Sequence, residues 1–189
     1  MADSIILFPS KSHIANKIGD VVTFNATNKT LVSSNTGTIS FTDFADGDII
    51  VVTGSASNNA TFTVSGSPTA TTLTVLETVT TESPGANITV DHQGAYSGKQ
   101  KADGFYGYTD GLHTSAFHLN AYIGSIKMQA SLASTPTKDD WFDVDATSVT
   151  YAVAETSNKG YNYTGNFVWI RAALTGMTAG SVTKVLYNY

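Results

Sequence analysis

Short runs of β-branched and aromatic residues, broken about every 8–12 residues by clusters of Gly, Asn, Asp and Ser, constrain this chain more than any other feature. In residues 61–64, Thr-Phe-Thr-Val, polar and apolar side chains alternate with the period of a strand that has one solvated face. Signals for helices are nearly absent, and even in the Ala-rich stretch 172–180 the glycines predict a strand followed by a turn. The pattern therefore predicts an all-β fold. The predicted strands are 21–24, 38–41, 48–53, 60–64, 72–76 and 87–90, followed by 112–119, 122–132, 141–144, 149–153, 167–174 and 181–187.

One polar, glycine-rich stretch, residues 91–104, interrupts this pattern. We therefore predict two small β-sandwich or barrel-like modules joined by a Gly-rich linker, with the break inside 91–112. The first module would comprise 1–92 and carry an N-terminal arm. The second would comprise 103–189. Each half has enough predicted strands for a small sandwich or barrel.

Composition narrows the class of protein. Charged residues make up only 13% of the chain, whereas the uncharged polar residues Thr and Ser number 28 and 19. The hydrophobic share of 41% excludes a disordered tail, and the residue types exclude a coiled coil. The net charge is −5 with only 10 scattered Lys and Arg residues, so we expect no nucleic-acid partner. Without cysteine there is no disulfide, thiolate metal site or cysteine nucleophile.

The apolar runs are too short for membrane or secretory segments. The first residues lack a basic start, and their apolar run covers only 5–8, so we expect no secretory signal. No segment approaches 18 apolar residues, so we expect no membrane span. These patterns predict a protein made in a cytoplasm without a membrane partner.

The titratable residues do not form a recognisable catalytic constellation. His113 and His118 are five residues apart, which places them on opposite faces of a strand and predicts structural or surface roles. Glu77 and Glu82 lie near a turn, and nothing pairs them as general acid and base. No nucleophile elbow, phosphate loop or zinc helix motif is present. We therefore predict no catalytic residues, no cofactor and no enzymatic activity.

Two acidic stretches leave the question of calcium open. The carboxylates of 139–145 have a spacing that suits a hard cation, but the stretch lacks the hinge glycine and distal glutamate of a helical calcium loop. A polar loop turning into an edge strand is the favoured interpretation. Around Gly47, the residues Asp43, Asp46 and Asp48 are more typical of a turn. We assign no metal ligand.

The aromatic residues cluster more strongly than the charged ones. Trp141 and Trp169 stand in apolar strand patterns and are predicted to be buried. The segment 4–10 is apolar, and two alternatives remain open: it adds a strand to a neighbour's sheet, or it folds back as an edge strand of its own module. Tyr and Trp are frequent interface anchors, but they also fill β-cores, so for residues 105–108 on their Gly-rich segment an interface role and a core role both remain open. Our candidate interface consists of aromatic and apolar positions. These positions are Ile5, Ile6, Leu7, Phe8, Phe105, Tyr106, Tyr108, Tyr187 and Tyr189.

Several segments carry a family resemblance, most of them in the second half. They are 103–114, which begins Asp-Gly-Phe-Tyr-Gly-Tyr, together with 122–133, 140–143, 163–172 and 179–186, and less specifically 46–64 and 70–76. Through them the chain resembles β-modules of virion structural proteins of tailed phages, notably contractile-tailed phages of marine cyanobacteria. The resemblance covers about 103–189 and implies an assembly role without catalytic residues.

The resemblance implies a non-enzymatic structural protein that decorates the capsid or forms part of the neck or tail. Its partners would be other virion proteins and copies of itself, and its location would be the virion. A chain with many strands, few charges and few prolines has sheet edges that such contacts would cover. The alternative is a β-sandwich that binds host surface glycans. An enzyme such as a depolymerase would need paired carboxylates in a groove, which the sequence does not indicate.

Overall fold

The regular secondary structure of the protein is almost all β-strand, which confirms the predicted all-β class. The computed structural model describes residues 4–19, 22–33, 40–83, 87–108 and 110–189. Within these ranges no helix is long and apolar enough to cross a bilayer. The strands are β1 (Ile5–Phe8), β2 (Lys11–Ser12), β3 (Lys17–Gly19), β4 (Val22–Asn25), β5 (Thr30–Ser33), β6 (Asp48–Thr53), β7 (Thr61–Thr63), β8 (Thr72–Thr74), β9 (Ile88–Tyr96), β10 (Gln100–Lys101), β11 (Leu112–Ser131), β12 (Phe142–Asp143), β13 (Val149–Glu155), β14 (Asn158–Thr164) and β15 (Trp169–Asn188). A four-residue helix, α1 (Asp103–Tyr106), and two 3-10 turns, Lys138–Asp140 and Asp145–Thr147, complete the described elements.

The chain divides into two compact units. One unit comprises residues 14–95, and the other comprises 96–189 together with the residues up to His13. The break lies inside the stretch 91–112, but the N-terminal segment packs with the later residues and not with a first module of 1–92. We call these the 14–95 unit and the 96–189 unit.

The stretch predicted as a linker is largely regular structure, so that prediction was wrong. Strand β9 runs through its first residues to Tyr96, and β10 and α1 follow. The physical reason is that Val90, His92 and Gly94 alternate as buried positions along β9 and find ladder partners on β6. Glycine and polar residues there reflect tight packing and a bulge opposite Ile49.

The 14–95 unit is built from two small antiparallel sheets. One has the order β7-β6-β9-β3, and the other has the order β4-β5-β8. Their apolar positions form one shared core, as expected for a small sandwich. Of the strand predicted at 38–41, residues 38–39 lie outside the described residues, while Ser40 and Phe41 are not in a strand. The core consists of Val22, Phe24, Leu31, Phe41, Phe44, Ile50, Val52, Phe62, Val64, Leu73, Val75, Val79, Ile88 and Val90.

Two 20-residue strands, β11 and β15, dominate the 96–189 unit. They pair antiparallel from Thr114 opposite Asn188 to Ser131 opposite Trp169. Strands β12, β13 and β14 pair with the other side of β11, while β1, β2 and β10 pair with the other side of β15. The buried apolar residues along these two strands include Phe117, Leu119, Tyr122, Ile126, Met128, Ile170, Leu174, Met177, Val182, Val185 and Tyr187.

Each of these long strands was predicted as two shorter ones. Where the sequence pattern predicted a turn between two strands, the structure has β-bulges, at residues 118–125 of β11. The β11–β15 ladder continues past these bulges without a turn. Gly180 lies within β15 at φ +72°, and a Cβ there would come 2.0 Å from the Ala121 carbonyl oxygen. Glycine at 180 therefore permits a close strand contact instead of ending the strand.

The two tryptophans are half-buried, and the prediction that they are buried was wrong. The guanidinium of Arg171 lies 4.2 Å from the ring centre of Trp141, and the Lys99 ammonium lies 4.5 Å from that of Trp169. The indole N–H of Trp169 donates to the Ser134 carbonyl at 3.2 Å. Both rings therefore make cation–π contacts with basic side chains.

Candidate interaction site

The helix α1 places a carboxylate inside the 96–189 unit and two aromatic rings outside it. Asp103 at its first position is buried, while Phe105 and Tyr106 are exposed. Gly104 lies against the Phe167 backbone, where a Cβ would come 2.7 Å from the carbonyl oxygen. The helix ends at Gly107, whose φ of 75° is left-handed and favours glycine. The Asp-Gly-Phe-Tyr-Gly sequence thus fixes which side chains point inward and which point outward.

His113 is fully buried among aromatic rings in this unit. Its ring stacks with Tyr163 and Phe167 at centroid distances of 5.4 and 5.1 Å, and with Tyr187 at 5.8 Å. Such offset stacking of flat rings contributes beyond the burial of area alone. His113 therefore has a structural position, as predicted.

Both ring nitrogens of His113 have polar partners. Nε2 lies 2.6 Å from the Gly165 carbonyl oxygen and 3.1 Å from Asp103 Oδ1. Because both of these groups are acceptors, Nε2 carries a proton and donates it. Nδ1 lies 2.9 Å from the Tyr187 hydroxyl. The histidine thereby connects α1 to the far end of β15.

The buried tyrosines of this cluster stay protonated. Burial raises the pKa of the Tyr187 hydroxyl well above its ordinary value, and it does the same for Tyr163. The Tyr163 hydroxyl shares a 2.8 Å hydrogen bond with Ser115. A cluster of neutral, paired and buried hydroxyls supports the rings around it.

From this cluster a column of stacked tyrosines leads to the surface. Tyr187 and Tyr189 stack at 5.5 Å, Tyr189 and Tyr106 at 6.0 Å, and Tyr106 and Tyr108 at 5.9 Å. The exposed fraction rises from 0% at Tyr187 to 58% at Tyr108. Burial and a hydrogen bond shared with Tyr106 raise the pKa of Tyr189 to about 12. The outer rings are therefore held in place from the core outward.

A second set of rings widens the exposed end of the column. Phe105 packs against Tyr106 at 5.3 Å and against Trp169 at 5.1 Å. The Lys101 ammonium lies 4.1 Å from the ring centre of Phe105, which adds a cation to the surface. We call the surface formed by Phe105, Tyr106, Tyr108, Trp169 and Tyr189 the aromatic patch.

The structure brings together part of the predicted interface. Phe105, Tyr106 and Tyr108 are exposed, and Tyr189 is half-buried behind them. Tyr187 is fully buried, so it offers no surface to a partner, and its inclusion in the interface was wrong. The physical reason is its hydroxyl, which finds its partner on His113 inside the unit.

The segment Ile5–Phe8 folds back onto its own chain. In β1, Ile5 lies opposite Tyr187 and Ile6 opposite Leu186. Phe8 is buried, while Ile6 is 57% exposed and Leu7 is half-buried. The segment therefore forms a strand within its own chain. It pairs with β15 of the 96–189 unit, so the alternative of an edge strand in a first module of 1–92 was wrong.

Sequence reasoning missed the residues that support the aromatic patch. Asp103 and the two lysines Lys99 and Lys101 carried no signal of their own. His113 was assigned a structural role, but its contact with Tyr187 joins residues 74 positions apart, which no local pattern reveals. His118, five residues along β11, is half-buried on the other face, as predicted.

The acidic stretch 139–145 does not converge on one point. Asp143 accepts from Lys127 at 2.6 Å and from Gln129 at 2.8 Å, while Asp140 accepts from Thr137. Burial opposes ionisation of Asp143, but these donors outweigh it and hold the pKa of its carboxyl below the ordinary value. In the described ranges, no three His, Asp or Glu side chains gather as metal ligands. The stretch forms 3-10 turns around the two-residue strand β12, in agreement with a loop turning into an edge strand.

Glu82 accepts hydrogen bonds from the loop at residues 55–58 in the 14–95 unit. Its carboxylate accepts from the Ser55 hydroxyl at 2.6 Å, from the Ala56 amide at 2.8 Å and from the Asn58 side-chain amide at 2.9 Å. These hydrogen bonds, led by that from Ser55, lower the pKa of Glu82. Glu77 instead accepts from Thr63, so the two glutamates do not form a pair.

Comparisons with known proteins add no family to this description. No protein-family model, curated protein or solved structure matches the chain. The function therefore has to be argued from the residues described above.

Proposed function

We propose that this chain is a non-enzymatic structural protein of a tailed-phage virion that acts through protein–protein contacts. The observation that carries the proposal is the aromatic patch, an exposed group of stacked rings anchored in the core. The resemblance of residues 103–189 to phage virion β-modules supports it. In this role the protein decorates the capsid or forms part of the neck or tail.

The chemistry of the aromatic patch favours a protein partner. Tyr, Trp and Phe are enriched at interface centres, where they supply large contact areas. Tyr106 and Tyr108 are already stacked, so binding would order few additional rotamers. Lys99 and Lys101 lie over the rings and give the patch a cationic margin toward the acidic groups of a partner.

The proposal includes the partners and the location. The partners are other virion proteins of the capsid, neck or tail, and copies of the same chain. The location is the virion, after synthesis in the host cytoplasm. Nucleic acid and membranes are not among the proposed partners, since the chain carries only 10 Lys and Arg residues and a net charge of −5.

Binding of host glycans is a second candidate function. The exposed rings of Tyr106 and Tyr108 are the observation that favours it, because the C–H faces of sugar rings stack on flat aromatic surfaces. A glycan array probed with the purified protein tests this alternative. If the protein binds a glycan saturably and Tyr108→Ser abolishes this binding, the ligand of the aromatic patch is a saccharide and not a protein.

The main test combines localisation with a surface variant. Antibody labelling of particles, viewed by electron microscopy, should place the protein at one type of position on the virion. The double variant Phe105→Ser/Tyr108→Ser should lower incorporation into particles at least about tenfold, because truncating an aromatic anchor costs about 2 kcal/mol. Val153→Ser is the matched control, since Val153 is 75% exposed on β13 and outside the patch. Particles that contain no such protein, or that take up the double variant normally, would overturn the proposal.

A further inference from the structure

Strand β14 has a ladder partner on one side only in the part of the chain that the structure describes. In the described residues β14 pairs only with β11, in an unbroken register from Leu112 opposite Thr164 to His118 opposite Asn158. An unpaired strand edge presents a row of amide and carbonyl groups that can template another strand.

The backbone groups that face the other side of β14 follow from the hydrogen bonds at the two ends of the ladder. The Gly165 amide donates to the Gly111 carbonyl, and the Leu119 amide donates to the Ser157 carbonyl, each at 2.9 Å. In an antiparallel ladder, hydrogen-bonded pairs alternate with non-bonded pairs. The odd-numbered residues of β14 therefore bond to β11, and the even-numbered ones turn their amides and carbonyls outward. The outward residues are Asn158, Gly160, Asn162 and Thr164.

Little on β14 protects this edge from another strand. The four outward residues are exposed and uncharged. The strand contains no proline, its register with β11 has no bulge, and Lys159 is its only charged residue. The neighbouring β13 shows the usual protection, since its register with β11 is interrupted between Tyr122 and Gly124.

We propose that β14 pairs with β14 of a second copy of this chain, antiparallel about a two-fold axis at Tyr161. This register sets Asn158 opposite Thr164 of the second copy and Gly160 opposite Asn162 of the second copy. All four outward residues of each strand then exchange hydrogen bonds. A shift by one residue would set outward groups against inward ones, and a shift by two would leave outward residues unpaired.

The side chains of β14 are compatible with this register. Two copies of Lys159 would lie four residues apart along the pair, roughly 13 Å, which exceeds the screening length of about 8–10 Å in physiological salt. The occupant of the edge is a second copy because the strand is complementary to itself. This inference does not depend on the proposed function.

Cross-linking through introduced cysteines tests the register. The chain has no native cysteine, so background cross-links are absent. In the double variant Asn158→Cys/Thr164→Cys, opposed residues of the two copies would have Cα atoms about 5.5 Å apart, within disulfide range. Within one chain the same two positions are about 20 Å apart and cannot bridge. We expect the double variant to migrate as a covalent dimer on a non-reducing gel after mild oxidation.

Each single-cysteine variant provides a register control. Asn158→Cys alone and Thr164→Cys alone should remain monomeric on the gel, whereas a mixture of the two should cross-link. A double variant that stays monomeric would overturn the proposal. So would a single variant that cross-links as well as the double one, because the register would then be different.

Charge variants test the same pairing without a cross-link. Gly160→Lys/Asn162→Lys sets like charges opposite each other in the two copies, whereas Gly160→Lys/Asn162→Glu sets opposite charges there. In sedimentation velocity we expect the first variant to be monomeric and the second to dimerise at least as well as the parent protein. Equal association of the two variants, or a parent protein that is monomeric and pairs only with a foreign strand, would overturn the proposal.

Discussion

Both units bury aliphatic and phenylalanine side chains, but the 96–189 unit also buries a cluster of tyrosines. The 14–95 unit buries aliphatic and phenylalanine side chains such as Phe24 and Leu31, which face each other across two strands. The 96–189 unit buries Tyr163 and Tyr187 around a histidine. An apolar core requires only complementary volume, whereas a tyrosine core also requires a partner for every hydroxyl. The buried tyrosines are also stacked, through Tyr189 and Tyr106, on the exposed ring of Tyr108.

Removing volume from the aliphatic core should have the largest effect. Phe24→Ala deletes a fully buried ring and leaves a cavity, so we expect the free energy of unfolding to fall by about 3–5 kcal/mol. Urea denaturation followed by circular dichroism measures the change. Thr53→Ala, at an exposed position of β6, is the control and should change stability by less than about 0.5 kcal/mol. A loss below about 1 kcal/mol for Phe24→Ala would mean that this core is not close-packed.

Removing one hydroxyl from the tyrosine core should have an intermediate effect. Tyr187→Phe keeps the ring but leaves Nδ1 of His113 without its hydroxyl partner, so we expect a loss of about 1–3 kcal/mol. Tyr189→Phe alters a half-buried ring of the same column and should cost less than about 0.5 kcal/mol. Equal effects of the two variants would show that the buried hydroxyl contributes no more than a surface one.

Removing the charge of Glu82 should have the smallest effect, and the effect should depend on pH. Because the folded-state pKa of Glu82 is lowered, its carboxylate stabilises the fold above the ordinary value of 4.5 and loses this contribution as pH falls toward the folded-state pKa. We expect Glu82→Gln to cost about 0.5–1 kcal/mol at pH 7, since solvent screens the group. The difference from the parent protein should shrink in urea titrations below pH 4. A difference that is the same at both pH values would contradict this assignment.

Local patterns predicted strands well where a run of β-branched residues is bounded by turn residues. Strand β6 has the predicted bounds Asp48–Thr53, and β7 and β8 lie within the predicted runs. Strand β14 was not predicted, because its sequence is polar and only the ladder with β11 makes it a strand. The long strands β11 and β15 were divided in two, since bulges have no signature in a single segment.

The sequence predicted part of the candidate site. Phe105, Tyr106 and Tyr108 stand among glycines, which marked them as interface candidates but left a core role open, and the structure shows that all three are exposed. Tyr187 shares their residue type, yet it is buried because His113, far away in sequence, provides its hydrogen bond. Whether a tyrosine of this column is buried or exposed therefore depends on contacts between residues far apart in sequence, which no local pattern reveals.

The pairing of β1 with β15 has a consequence for synthesis of the protein. Ile5 lies opposite Tyr187, a residue that the ribosome adds about 180 positions later. At roughly 5–20 residues per second, this strand waits about 10–40 s for its partner. During that interval the apolar Ile5–Phe8 segment is unpaired on the nascent chain, where it is a target for chaperones and for association between neighbouring polysomal chains. The rate of translation therefore sets how long this segment is at risk of aggregation, independently of how stable the finished fold is.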